Sequence, residues 1–421
     1  MALQPYIEPR KRLPYAVRMR NRCIAAVLLI TLFSCIGSCI FAKDEIETPL
    51  ENTAQASFET PEEEIQNTVA TVTAAIAPKE VVQNDAMDST HILKQKNLFM
   101  AKQIDKYLRR FKPKHALYLI VEAHSNEIIA WGEMKDELVQ AKPDYLARNT
   151  FPAASIAKTV TLAAALESNQ YNLESPIPAQ GKSTHLYRSQ LRVKEPYVGP
   201  TLTLREVYAH SANPSMAIVG HKLGAKKLKE TAHNLGYNMV HYGFNNDPLN
   251  YAPPDTGYAL YEVASGFTDS VRLSPLVAAA QVRSIITKKP LEIPWGENMD
   301  GFAPDKPYAS GLDHFKDQTY REIKDAMIAT ATIGSARKRI TRKNMARKSL
   351  ENLTIGGKTG TLDGKSPQGR YEWFAGFAEA KKDPRKSIVV VVMQVYGQMR
   401  TQSSADVAAI LINHWANEYI N

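Results

Sequence analysis

Apolar and polar positions change their pattern twice along this 421-residue chain before any fold can be read. Residues 23–42, from Cys23 to Ala42, form an unbroken run without one charge, and about 20 such residues span a bilayer as a helix. Residues 43–92 lose that character and are rich in Glu, Thr, Ala and Gln, the composition of a disordered tether. From residue 93 onward, patterned segments follow one another. Leu93, Leu98, Phe99, Ile104, Tyr107 and Leu108 recur at roughly helical spacing, and ALYLIVEAHSNEIIAWGE gives two apolar runs around Ser125-Asn126, so a helix followed by a hairpin is expected. Toward the other end, NLTIGGKTGTL, YEWFAGFAEA and KSIVVVVMQVYG read as three further strands, and DVAAILINHWANEYI as a closing apolar helix. Between Phe151 and about Ile333, helical patterns appear at TLREVYAH, PSMAIVGHKLGAKKLKETAHNL and SPLVAAAQVRSII. The sum over 93–421 is a mixed α/β fold, a mixed sheet covered by helices plus a helical lobe.

Charge gives the apolar run a direction. Residues 1–22 hold six Lys and Arg against the single acid Glu8, which predicts a basic cytoplasmic tail and a transmembrane anchor at 23–42, with everything from 43 on outside the cytoplasm. A cleaved signal peptide is the alternative, but no A-x-A site closes the run at Ile40-Phe41-Ala42. Cys23, Cys35 and Cys39 are the only cysteines and all lie in this run. The exported portion therefore has no disulfide and no thiolate metal site. The strings LFSC and IGSC loosely resemble bacterial lipoprotein processing sites, a second way of staying at the membrane. Segment 43–92 holds eleven acids against two lysines, an acidic tether, while 93–421 is strongly basic within a chain of net charge +9. With no nucleic-acid motif in an exported domain, carboxylate-rich or phosphate-rich envelope polymers are the fitting partners for that charge.

One stretch, FPAASIAKTVTLAAALE, places Ser155 and Lys158 three residues apart at the head of an apolar helix, with Pro152 suited to a helix start. Serine is a weak nucleophile, and a lysine can take its proton only if burial or a second cation lowers the amine's pKa from about 10.4. S-x-x-K alone says little, since Ser335-Ala336-Arg337-Lys338 repeats it. That copy lies in SARKRITRKNMARKS, seven cations without an acid, which reads as a solvated basic face. Two more strings follow Ser155 in order: Ser211-Ala212-Asn213, and Lys358-Thr359-Gly360-Thr361 on a glycine-flanked strand. Each alone reads as a helix cap or a turn; the three together match a known catalytic set. The histidines form no H-E-x-x-H pair.

From about Leu117 to the C-terminus the chain resembles the transpeptidase domain of bacterial penicillin-binding proteins, which implies a central antiparallel sheet flanked by helices plus a helical lobe. The likeness extends to TLREVYAHSANPSMAIVGHKLG, YEVASGFTDSVRLSPLVAAAQ and IGGKTGT followed by EWFAGF, and Gly334-Ser335-Ala336 is similar to the family's Gly-Thr-Ala element. The resemblance implies that Ser155 is the acylated nucleophile, Lys158 its general base and Ser211 a proton relay to the leaving amine. It implies that Asn213 orients Lys158 and the substrate amide, that Lys358 is the second cation, and that Thr359 and Thr361, flanking Gly360, hold a terminal carboxylate. The backbone N–H groups of Ser155 and Thr361 are the implied oxyanion donors.

The resemblance and the anchor together imply a membrane-anchored serine D,D-transpeptidase acting on peptidoglycan stem peptides, acylated by β-lactams and needing no metal or organic cofactor, alone or beside other wall-synthesis proteins. Water as acceptor would make the same site a D,D-carboxypeptidase. A β-lactamase would call for a deacylating E-x-x-L-N glutamate, which is absent from the sequence. A penicillin sensor or scaffold using the site only to bind is the non-enzymatic alternative, although the five catalytic candidates are all present.

Overall fold

The computed structural model describes residues 95–421 except 142, 239–249, 295, 297–314 and 398–399. The cytoplasmic tail, the transmembrane anchor and the acidic tether expected over 1–92 lie outside the described residues. Among the described residues no helix is long and apolar enough to cross a membrane.

Helix α1 spans Leu98–Phe111, five residues later than the apolar pattern begins, because Asn97 caps it by accepting the Met100 N–H at 2.9 Å. Strands β1 (His115–Glu122) and β2 (Ile128–Lys135) form the expected hairpin, its turn made with Asn126 in the left-handed region at φ 65°. Strand β3 (Leu138–Gln140) continues it, and the two-residue strand β4 (Phe151–Pro152) leads to a 3-10 turn, Ala154–Ala157. Helix α2 (Lys158–Glu167), strands β5 (Pro176–Pro178) and β6 (Thr201–Thr203), and helices α3 (Leu204–Ala209), α4 (Asn213–Asn234) and α5 (Tyr258–Ser265) build the helical lobe. Then come β7 (Arg272–Leu273), α6 (Pro275–Thr287), α7 (Asp317–Thr332) and α8 (Arg347–Asn352). The chain closes with β8 (Leu353–Lys365), β9 (Gln368–Ala380), β10 (Ser387–Tyr396) and α9 (Ser404–Tyr419).

Six strands make one antiparallel sheet in the order β3-β2-β1-β10-β9-β8. Its central strand β10 is apolar almost throughout because both faces are covered. Val389, Val391 and Met393, with Leu117, Leu119 and Val121, join the core shared with the helical lobe. Ile388, Val390 and Val392, with Ala116, Tyr118 and Ile120, face the second core, to which α1 and α9 contribute. The period of two thus persists in space although both sets are apolar. Strand β8 lies at the sheet edge, leaving one side of its backbone open.

The start of the Ser155 segment differs from a simple helix headed by Pro152. Pro152 pairs with Arg272 across β4 and β7, Ala153 donates its N–H to Val271 O at 2.8 Å, and the Trp373 indole N–H donates to Pro152 O at 2.8 Å. These ties hold 151–153 extended. The chain turns at Ala154, with φ 48°, and only from Lys158 does a regular α-helix run.

Candidate active site

Lys158 is the first residue of α2 and its side chain is fully buried. Its Nζ lies 2.7 Å from Ser155 Oγ, 2.6 Å from Asn213 Oδ1 and 2.5 Å from the backbone oxygen of Ser265. Ser155, in the 3-10 turn just before, is half-buried, so its hydroxyl touches the amine while remaining reachable.

Burial first, and then the nearby charge of Lys358, hold the Lys158 amine well below the usual lysine range. The geometry says what the neutral amine does. Asn213 Oδ1 and the Ser265 carbonyl can only accept. After losing one proton, the amine gives its two remaining N–H groups to them, and its lone pair faces the one partner that has a proton to offer, Ser155 Oγ–H. The amine is then aligned as a base.

Each of these partners is fixed by its own element. Asn213 opens α4; its Nδ2 donates to Thr184 O at 3.1 Å, which settles the orientation of the amide, and its N–H donates to Ser183 O at 2.7 Å. Ser265 ends α5, where Gly266 turns the chain at φ 63°. A Cβ on Gly266 would lie 2.1 Å from Ala154 O. Only glycine therefore lets the end of α5 approach the nucleophile's turn closely enough for the Ser265 carbonyl to reach Lys158.

Lys358, on β8, is 1% exposed, and burial pushes its amine down to about 7. Its Nζ donates to Thr359 O at 3.0 Å and stands 5.4 Å from the centre of the Tyr208 ring on α3. Two buried amines that interact cannot both stay protonated at little cost, and the Lys358 charge adds to burial in lowering Lys158. Gly360 brings β8 against the nucleophile's turn, where a Cβ would be 3.3 Å from Ala153 O and 3.4 Å from Ala154 Cβ. Thr359 is half-buried and Thr361 exposed along the open edge of β8.

Ser155, Lys158 and Asn213 are thus joined directly, and Lys358 acts on Lys158 through its charge. Ser211 sits in the turn between α3 and α4 with φ 60° and is half-buried. Its hydroxyl makes no hydrogen bond to Ser155, Lys158 or Lys358. Sequence reasoning missed three contributors. The Ser265 carbonyl has no local signature beyond the helix-stopping glycine after it. Tyr208 reads as an ordinary core aromatic. Ser335, set aside as part of a solvated face, is exposed, yet its Oγ lies 2.5 Å from Thr359 Oγ1. The Gly334-Ser335-Ala336 likeness was the available signal.

A buried lysine amine, its pKa lowered, within reach of a serine hydroxyl, with a second buried lysine on an edge strand, defines a serine acyltransferase type of site. The comparisons agree with that class: residues 116–413 match the family described as Penicillin binding protein transpeptidase domain, and the chain belongs to this family. It is 27% identical over 62% of its length to peptidoglycan D,D-transpeptidase PbpA of Mycolicibacterium smegmatis, covering 54% of that protein. It is 23% identical over 75% of its length to stage V sporulation protein D of Bacillus subtilis, covering 50% of it. The chain spans about half the length of the curated relatives it matches. Among solved structures, PBPA from Mycobacterium tuberculosis superposes with a TM-score of 0.55 at 18% identity, over 79% of this chain and 81% of that one. A peptidoglycan glycosyltransferase from Burkholderia ambifaria does so with a TM-score of 0.56 at 16% identity, over 79% and 95%. These two likenesses establish the shared fold.

Proposed function

We propose that this protein is a serine D,D-transpeptidase that cross-links peptidoglycan stem peptides through an acyl-enzyme on Ser155, anchored to the membrane by residues 23–42 with its catalytic domain outside the cytoplasm. The observation that carries the reading is the buried Lys158 amine 2.7 Å from Ser155 Oγ, with both its other partners restricted to accepting. Family membership and the names of the relatives support the same substrate class.

In this reading Ser155 Oγ attacks the carbonyl carbon of the penultimate D-alanine while its proton passes to Lys158. The backbone N–H groups of Ser155 and Thr361 receive the developing oxyanion. The C–N bond then breaks, and the proton travels by way of Ser211 to the departing amine of the terminal D-alanine. An amine from a second stem attacks the ester, forms the cross-link and returns the proton to Ser155. Thr359, Gly360 and Thr361 line the edge of β8, where an extended stem can pair with the open backbone. The terminal carboxylate is drawn by the Lys358 charge and the Thr359 and Thr361 hydroxyls.

Product analysis tests this. The purified full-length protein, given peptidoglycan fragments with D-Ala-D-Ala stems, is expected to release D-alanine and yield cross-linked dimers. Shortened monomers without dimers would mean that water is the acceptor and would reject the transpeptidase assignment.

A further inference from the structure

The basic stretch that follows Ser335 is a fixed knuckle rather than a loose loop. Ala336 and Met345 are buried in the core beneath α1 and α9. Asp406, in the first turn of α9 and itself 2% exposed, takes up Arg339 at 3.1 Å and Asn344 Nδ2 at 2.7 Å. Farther along, Arg347 pairs with Glu351 at 2.5 Å, and Lys348 donates to the backbone oxygen of Asn421. The nearby acid is therefore consumed inside the knuckle. Arg337, Lys338, Arg342 and Lys343 are left exposed and, among the described residues, without an acidic partner.

Like charges held together on a rigid support repel one another, and an external polyanion relieves that repulsion. The position of the knuckle says which polyanion. Its first residue, Ser335, donates its N–H to Ala209 O at 2.9 Å and its hydroxyl meets Thr359, so the cations begin two residues from the candidate substrate strand. The described chain begins at the other end of α9, where Asn97 Nδ2 donates to the Tyr419 hydroxyl at 2.6 Å. A 16-residue helix separates the two ends by about 24 Å. We propose that Arg337, Lys338, Arg342 and Lys343 form a docking surface for the anionic cell-wall polymer whose stems the site receives. The proposal rests on the transpeptidase reading and adds a second point of attachment to it.

The test uses the full chain in neutral detergent, wild type beside the quadruple variant Arg337→Glu, Lys338→Glu, Arg342→Glu, Lys343→Glu. Retention on isolated cell walls is expected to fall about tenfold or more in the variant, and wild-type retention is expected to weaken as salt rises. Labelling of Ser155 by fluorescent penicillin should be equal in the two, because none of the four residues is part of the catalytic constellation. Equal retention of both proteins on walls would overturn the proposal. So would release of the wild type from walls by micelles carrying phosphatidylglycerol at matched charge, which would point to a membrane surface instead. If the wild type is not labelled by penicillin, the transpeptidase reading fails whatever the walls retain; labelling with equal retention rejects the docking surface alone.

Discussion

Replacing Gly266 with alanine separates the end of α5 from the nucleophile's turn, and one contact sets the size of the effect. The new Cβ would lie 2.1 Å from Ala154 O, against the 3.0 Å below which real Cβ contacts essentially never fall, so the two segments must part by about 1 Å. Alanine at φ 63° adds a backbone cost of about 1–2 kcal/mol. Because Ala154 precedes Ser155 and Gly266 follows the Ser265 carbonyl that binds Lys158, that displacement falls between base and nucleophile. A misplacement of about 1 Å costs on the order of 100-fold in rate. Gly257→Ala, at the other end of α5, is the control: it too has a positive φ, 89°, but no atom within 4 Å of the new Cβ. Acylation by a fluorescent penicillin, timed beside thermal melts, is expected to slow about 100-fold in Gly266→Ala and to stay near wild type in Gly257→Ala, although both melt earlier. Equal acylation rates in the two variants would refute the claim that this close approach sets the geometry of the base.

Three further outcomes are expected. Lys158→Met should retain the fold by circular dichroism and lose about 100-fold to 10,000-fold in acylation rate, the range for a general base; an unchanged rate would remove Lys158 from the chemistry. Lys358 binds its proton less tightly in the folded protein, with a pKa of about 7 against the ordinary 10.5, so its burial penalty is full below about 7 and fades as pH rises toward 10.5. Lys358→Met should therefore slow acylation yet raise the melting temperature, more at pH 6 than at pH 10, and a melting temperature that falls at pH 6 would contradict the assigned cause. Glu133 is fully buried, its Oε2 accepts the Asp144 and Tyr145 N–H groups, and burial pushes its carboxyl up to about 7 from 4.5. A raised carboxyl contributes most below about 4.5 and loses that contribution as pH climbs through about 7. Glu133→Gln keeps an acceptor there and should raise the melting temperature by about 2 °C or more at pH 8, with a smaller change at pH 5; an equal change at both would show that the carboxyl does not titrate in this range.

The sheet was legible because its strands are long and buried. The stretch Ser387–Tyr396 is apolar at nearly every position, and only its neighbours reveal that alternate residues enter different cores. Helices α3 and α6 were legible from the helical patterns of TLREVYAH and SPLVAAAQVRSII, and the structure adds their caps: Thr203 with Glu206 in a capping box, and Ser274 ahead of Pro275. Short elements were not legible: β4 and β7 have two residues each and exist only because they pair with one another. At the site, the motif residues were found by type and order, since a serine, two lysines and an asparagine carry their chemistry in their side chains. The Ser265 carbonyl contributes through backbone, 107 positions from Lys158, and no side-chain pattern encodes such a contact. Ser335 is exposed, as the charged stretch after it suggested, but the turn of its hydroxyl toward Thr359 was legible only through the Gly334-Ser335-Ala336 likeness.

The central claim is that the hydroxyl beside the proton-poor amine of Lys158 is the one acylated. Peptide mapping by mass spectrometry after reaction with a penicillin tests it most directly. One adduct on the peptide containing Ser155, lost in Ser155→Ala, is the expected result. An adduct on the peptide containing Ser335, or none on the folded wild-type protein, would contradict it.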